Sequence, residues 1–235
     1  MTTPTTRIHL IDQMRGIAII LMAVFHFSYD LSAFHFITFS MHGSFFPWFR
    51  FVIVTLFFLS VGAGLYLAHT PIFQSKNFWL RELKIAAGAV FITLSTFVMY
   101  PRTWVWFGVL HFIALASLIA VPFIRFPKAA LITGICIFLL FNLTDWFNLH
   151  FLWQTLRQPL HLPPGTQDLT RLIPWLGMVL IGIYFGHVRG FGIKRIPLGI
   201  LNKPVDFLSK HSLIFYIVHQ APLFGLAWLL NAIFH

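Results

Sequence analysis

Acidic side chains are scarce in this chain: six Asp and Glu stand against 16 Lys and Arg in 235 residues, and charged residues of both signs make up only 9%. So few carboxylates, with only Asp30 well inside an apolar run, argue against catalysis by paired carboxylates. Cysteine is nearly absent too. The single thiol, Cys136, excludes an intramolecular disulfide and says nothing about redox compartment. The common soluble-enzyme patterns GxSxG, HExxH, CxxC, the P-loop and the dinucleotide fingerprint are all missing, and no metal is expected. No basic segment carries a nucleic-acid motif, so the net charge of +10 reads as membrane topology and lipid contact, with no nucleic-acid partner.

What the chain has in abundance is hydrophobicity. Apolar residues reach 58%, mean hydropathy is +0.83, and there are 29 Phe and 8 Trp. These values exclude an ordinary soluble domain and predict an all-α, polytopic membrane helix bundle forming one domain over 1–235. Apolar runs place seven spans at roughly 14–34, 47–68, 83–100, 104–124, 129–143, 172–188 and 211–234. The segment from His69 to Arg81 is expected as a loop lying along the interface. The first run follows Arg7 and Arg15, as a signal peptide would. No small-x-small cleavage site follows it, so it reads as an uncleaved span.

The basic residues alternate between the two sides of this scheme. Arg7, Lys76, Arg81, Arg125, Lys128, Arg189, Lys194, Arg195, Lys203 and Lys210 fall on one side, against Arg50, Arg102, Arg157 and Arg171 on the other. By the positive-inside rule the N-terminus is cytoplasmic and the C-terminus external.

The first run, RGIAIILMAVFHFSYDL over 15–31, holds His26 and Asp30 at a spacing of four, which puts both on one helix face. Ionisable groups are expensive inside a bilayer and usually face a protein interior or a cavity. The pair is therefore a candidate for chemistry as well as for a structural hydrogen bond. With a rise of about 1.5 Å per residue, His26 lies roughly 16 Å from Arg15, His111 roughly 10 Å from Trp104 and His219 roughly 13 Å from Lys210. Three histidines on three spans at similar depths suggest a shared polar cavity. His111 and His219 also admit structural readings, the latter as a partner for carbonyls freed by Pro222. Asp12 and Arg15 read as an interfacial ion pair or as part of a site. His35 and His42 fall in the first external loop.

Several segments are familiar in order. RIHLIDQMRGIAIILMAVFHFSYDL, WFGVLHFIALASL, PWLGMVLIGIYFG and SLIFYIVHQAP resemble the heparan-α-glucosaminide N-acetyltransferase catalytic domain family, in particular its small bacterial members. The resemblance covers nearly the whole chain. It implies transmembrane acyl transfer in a bacterial inner membrane, from cytosolic acetyl-coenzyme A as co-substrate to an amine or hydroxyl of a glycan or amino-sugar acceptor on the external side. Carried to this chain, it makes His26, Asp30 and His111 the active centre, with Arg15 near the coenzyme entrance. The eukaryotic enzyme carries asparagine where His26 stands and has its histidine in the first external loop, so His35 competes as the base. Lys76, Arg81, Lys194 and Arg195 are then the cationic candidates for the coenzyme phosphates. Asp12 and His219 are carried as acceptor-binding candidates. Membrane lipid is an implied partner, and homo-oligomerisation is left open. Two rivals stay in view, a histidine-ligated membrane haem protein and a proton-coupled transporter, although no internal repeat supports the latter.

Overall fold

Apolar runs separated by Pro, Gly and charged turns give helices throughout. The computed structural model describes residues 9–234 apart from 39, 41, 44 and 149; the termini on which the orientation expectation rests, Arg7 and His235 included, lie outside the described residues. Ten α-helices follow in order among the described residues: α1 His9–Ala33, α2 Phe45–Ala68, α3 Ser75–Met99, α4 Val109–Ala120, α5 Pro127–Leu143, α6 His150–Arg157, α7 Leu172–His187, α8 Asn202–Lys210, α9 Ser212–Val218 and α10 Gln220–Phe234. No named strand occurs among them; one isolated bridge links Phe107 and Leu169.

Local chemistry explains where these helices begin and end. Pro127 opens α5, where its missing N–H costs nothing. Asp12 sits in the first turn of α1, near the positive end of the helix dipole. At the other end of α1 the His35 N–H donates to the Ser32 carbonyl and the Phe36 N–H to the Leu31 carbonyl, both at 3.1 Å. His35 itself takes φ 63°, so the helix closes in a Schellman motif with histidine in the left-handed position that usually holds glycine. α3 starts eight residues earlier than the apolar run at Leu83 suggests. Phe78 is buried, so 75–81 forms the first turns of the helix, and the expected interfacial loop is confined to 69–74.

Three helices, α1, α2 and α3, are long and apolar enough to cross a membrane. A fourth candidate is the pair α9 and α10, bent by 41° at His219. Three further apolar helices are shorter: Val109–Arg125, Pro127–Leu143 and Leu172–His187. Apolar helical segments thus stand at all seven expected places, and three of them, or four with the bent pair, have the length and composition of full spans. Large apolar side chains cover the outside, as on α3, where Leu83, Val90, Leu94 and Val98 are all exposed. Such a surface suits hydrocarbon rather than water.

The described chain divides into two compact units, a division of which the sequence gives no sign. Val61–Gly192 makes one, and Arg7–Ser60 with Ile193–His235, so far as described, makes the other; α2 contributes to both. In the first unit α5 packs closely along α7. Glycines face each other there: a Cβ on Gly134 would lie 2.7 Å from the Gly177 carbonyl, and one on Gly177 2.8 Å from that of Gly134. In the second unit α1 packs against α8, α9 and α10. Gly16 permits the first of these contacts, since a Cβ would stand 2.3 Å from the Val205 carbonyl oxygen. Ile19, Met22 and Ile53 form the core there, with Phe25, Phe49, Phe57, Leu208, Phe215 and Tyr216 around them.

Candidate active site

Outside its apolar core, the second unit concentrates polar groups where α1 meets the break between α9 and α10. Asp30, near the end of α1, is buried at 2% exposure. Its two carboxylate oxygens accept from Gln220 Nε2 at 2.8 and 3.0 Å. The partner of Asp30 is therefore Gln220, not His26 as the i, i+4 spacing suggests.

His26 instead meets His219. Their ring centroids are 5.1 Å apart at an interplanar angle of 67°, an edge-to-face contact. Rings in direct contact leave no slot for a porphyrin between them, so this pair does not sandwich a haem. Phe25 also stands edge-on to His26 at 5.9 Å, and the Arg50 guanidinium on α2 lies within electrostatic reach of it.

The tautomer of His219 follows from its neighbours. His219 Nδ1 lies 2.8 Å from the Tyr216 carbonyl oxygen, which can only accept, so Nδ1 carries the proton. Nε2 is left with a bare lone pair, and it is buried without a hydrogen-bond partner among the described residues. Gln220 Oε1 and Thr55 Oγ1 are in the same condition in this unit. The Phe215 ring stacks on His219 at 5.8 Å and 17°.

The polar end of α1 is a second locus in the same unit. Arg15 lies 3.8 Å from Asp12 and donates to the Ser60 carbonyl at 3.4 Å. Ser209 on α8 reaches Asp12 at 3.5 Å. Gln13, nearly fully buried, donates to the Ile196 carbonyl at 2.7 Å and accepts from the Ile196 N–H at 3.0 Å, which fixes the chain beside Arg195. Arg195 is held by Asp206 at 2.9 Å and by the Asn202 side chain at 2.7 Å, while Lys194 is exposed.

The other sequence candidates fall in the first unit or on the surface. His111 has both ring nitrogens engaged. The Gly108 N–H donates to Nδ1 at 3.3 Å, so Nε2 carries the proton and donates to Thr93 Oγ1 at 3.1 Å. The Thr93 hydroxyl in turn donates to the Val105 carbonyl at 2.9 Å. With Asp168 accepting from the Val109 N–H at 3.2 Å, this network caps the start of α4. Arg81 is bound to Glu82 and reaches Ser117 on α4 at 3.2 Å. Glu82, which falls between the loop expected to end at Arg81 and the span expected from Leu83, is a buried carboxylate within α3. Near it His69 lies buried against Phe73 and Phe78; burial first, and the Arg81 charge after it, hold its imidazole below the usual range. Lys76 and His35 are exposed. Among the described residues, no group of three or more His, Cys, Asp or Glu side chains is placed to hold a metal ion.

Of the three histidines expected at one depth, then, two meet in the second unit and the third caps a helix in the first. Gln220 and Arg50 were not singled out from the sequence. Gln220 stood beside a histidine and a proline that drew the explanation to themselves, and Arg50 had been spent on topology.

Residues 7–221 match the family model described as heparan-alpha-glucosaminide N-acetyltransferase, catalytic. The chain belongs to this family. No curated protein and no solved structure gives a significant match. The matched stretch runs from the start of α1 to the residue after Gln220, so it includes His26, Asp30 and His219. Membership of the N-acetyltransferase family, with apolar helices long enough to cross a bilayer, identifies an integral membrane protein of an acetyltransferase type.

Proposed function

We propose that this protein moves an acetyl group across a bacterial inner membrane, from acetyl-coenzyme A on the cytosolic side to an amine or hydroxyl of a glycan or amino-sugar acceptor outside. One observation carries the reading within a chain of this family: an imidazole pair, His26 and His219, beside a buried carboxylate–amide pair, where α1 meets the break between α9 and α10.

The chemistry asks for a base. As the acceptor nitrogen or oxygen bonds to the thioester carbonyl carbon, it must lose a proton, and the C–S bond breaks to leave a thiolate that must gain one. A histidine serves both needs near neutral pH. His26 is the proposed base, and Asp30 acts at one remove, holding Gln220 and with it the helix break that carries His219. His35 competes for the role but is exposed, and its backbone already serves as a helix stop. His111 holds α4 in place through both nitrogens, which favours a structural part. In the second unit Arg15 and Lys194 are the proposed contacts for coenzyme phosphates, with Arg195 contributing charge from a position fixed by Asp206. In the first unit Lys76, and Arg81 held by Glu82, are separate cationic candidates for the same role. Asp12 remains a proposed acceptor-side contact.

The test is direct. Purified protein in proteoliposomes is given labelled acetyl-coenzyme A inside and glucosamine outside, and labelled N-acetylglucosamine is sought outside. Its appearance supports the reading. Intact acetyl-coenzyme A after prolonged incubation with several amine and hydroxyl acceptors contradicts it.

A further inference from the structure

A histidine with one nitrogen fixed and the other left over is poised to accept a hydrogen bond. His219 has that form: Nδ1–H is spent on the Tyr216 carbonyl, and Nε2 is a buried lone pair with no partner among the described residues. Buried acceptors in folded proteins are almost always satisfied, and one left open in an apolar setting calls for an explanation. The neighbouring ring is His26, in edge-to-face contact at 5.1 Å. Asp30, which its spacing makes the natural orienting group for His26, instead accepts from Gln220 Nε2 at both of its oxygens.

We propose that His219 is the orienting partner of His26, its Nε2 accepting the N–H of the His26 imidazole. The other nitrogen of His26 then presents the lone pair that takes the acceptor's proton. The inference rests on the acetyl-transfer reading above. Its step balances as follows: the acceptor's N–H or O–H proton passes to His26, the new C–N or C–O bond forms at the acetyl carbonyl, and the C–S bond breaks. The proton then leaves His26 for the thiolate sulfur, which restores the neutral imidazole and releases the free thiol. Throughout, His219 stays neutral at Nδ1–H and holds the His26 ring in one tautomer, the service a carboxylate performs in a Ser-His-Asp triad. Asp30 and Gln220 act further back, as positioning residues that fix the start of α10 next to His219. The two rings are already in contact at a centroid separation of 5.1 Å, and such hydrogen bonds commonly tighten only with substrate bound.

Two substitutions separate the nitrogens. His219→Asn puts an amide N–H close to where Nδ1 stands, keeping the bond to Tyr216 and removing the acceptor. His219→Gln places an amide oxygen near the position of Nε2, keeping an acceptor and losing the Tyr216 bond. Steady-state acetyl transfer by full-length protein in proteoliposomes, with acetyl-coenzyme A and glucosamine, should show kcat falling roughly 100-fold for His219→Asn with donor KM within twofold. His219→Gln should recover at least tenfold of that loss. If His219→Gln does not elute as folded protein, free imidazole added to His219→Ala takes its place, and recovery of turnover is again expected. Wild-type rates in His219→Asn, or a conservative acceptor and imidazole that both fail to restore turnover, would overturn the assignment and leave acetyl transfer standing. A wild-type protein that turns over no acetyl-coenzyme A would overturn the transfer reading and this inference with it.

Discussion

Gln220 gives its amide to both carboxylate oxygens of Asp30, at 2.8 and 3.0 Å, and so ties the first residue of α10 to the last turns of α1 across 190 positions of sequence. The bond falls next to the 41° break at His219, where a free helix end would otherwise be loosely held.

Removing the amide should cost more than removing the charge. Gln220→Leu leaves a buried carboxylate without its donor, which is worth about 2 kcal/mol. Asp30→Asn keeps an acceptor oxygen for Gln220 and should cost less than half as much. Thermal unfolding in detergent checks the order; equal melting temperatures for the two variants would contradict the clamp.

His35 supplies a control at the end of α1. Its φ of 63° is strained for any residue with a Cβ, so His35→Gly should relieve about 0.5–1 kcal/mol while leaving the turn's hydrogen bonds in place. Turnover should hold within twofold. A variant that folds well but has lost transfer would move the proposed base from His26 to the external loop.

The cationic candidates should separate by what holds them. Lys76→Ala and Lys194→Ala, at exposed positions, should raise the apparent KM for acetyl-coenzyme A with kcat little changed, and the difference should shrink as salt is added. Arg81→Ala should behave otherwise: it strips Glu82 of its cation, and a loss on the order of 2 kcal/mol in stability is expected before any effect on donor affinity. Unchanged donor KM in the two lysine variants would shift the proposed phosphate site toward Arg15.

Membrane sidedness can be tested against the charge pattern. The seven crossings with a cytoplasmic start expected from the Lys/Arg bias predict that an alkaline phosphatase fusion at His235 is active outside. A fluorescent or enzymatic reporter that works only in the cytoplasm, found working at His235, would mean that an odd number of the short helices fail to cross.

How much of this was legible beforehand varies with the kind of feature. Apolar runs and Lys/Arg placement located α1, α2, α7 and the last span to within a few residues, because burial in lipid is written into local composition. The bend at His219 was foreshadowed by Pro222. Pairing was not legible. The spacing of His26 and Asp30 on one face says that they are neighbours, yet it carries no trace of Gln220 or His219, which reach them from far along the chain. His111 looked like a member of the same cavity by depth alone, whereas its ring closes a capping network with Gly108 and Thr93. The buried place of Glu82 was not legible because the four charges near the start of α3, Lys76, Arg81, Glu82 and Lys84, resemble an interfacial segment until Phe78 is seen to be buried.

The account turns on His26. The measurement that tests it most directly is single-turnover transfer from labelled acetyl-coenzyme A to glucosamine in proteoliposomes, with wild type and His26→Ala compared at equal donor occupancy. His26→Ala should bind donor as wild type does and transfer at least about 100-fold more slowly, since a lost base removes stabilisation of the transition state alone. Transfer by His26→Ala at the wild-type rate would contradict it.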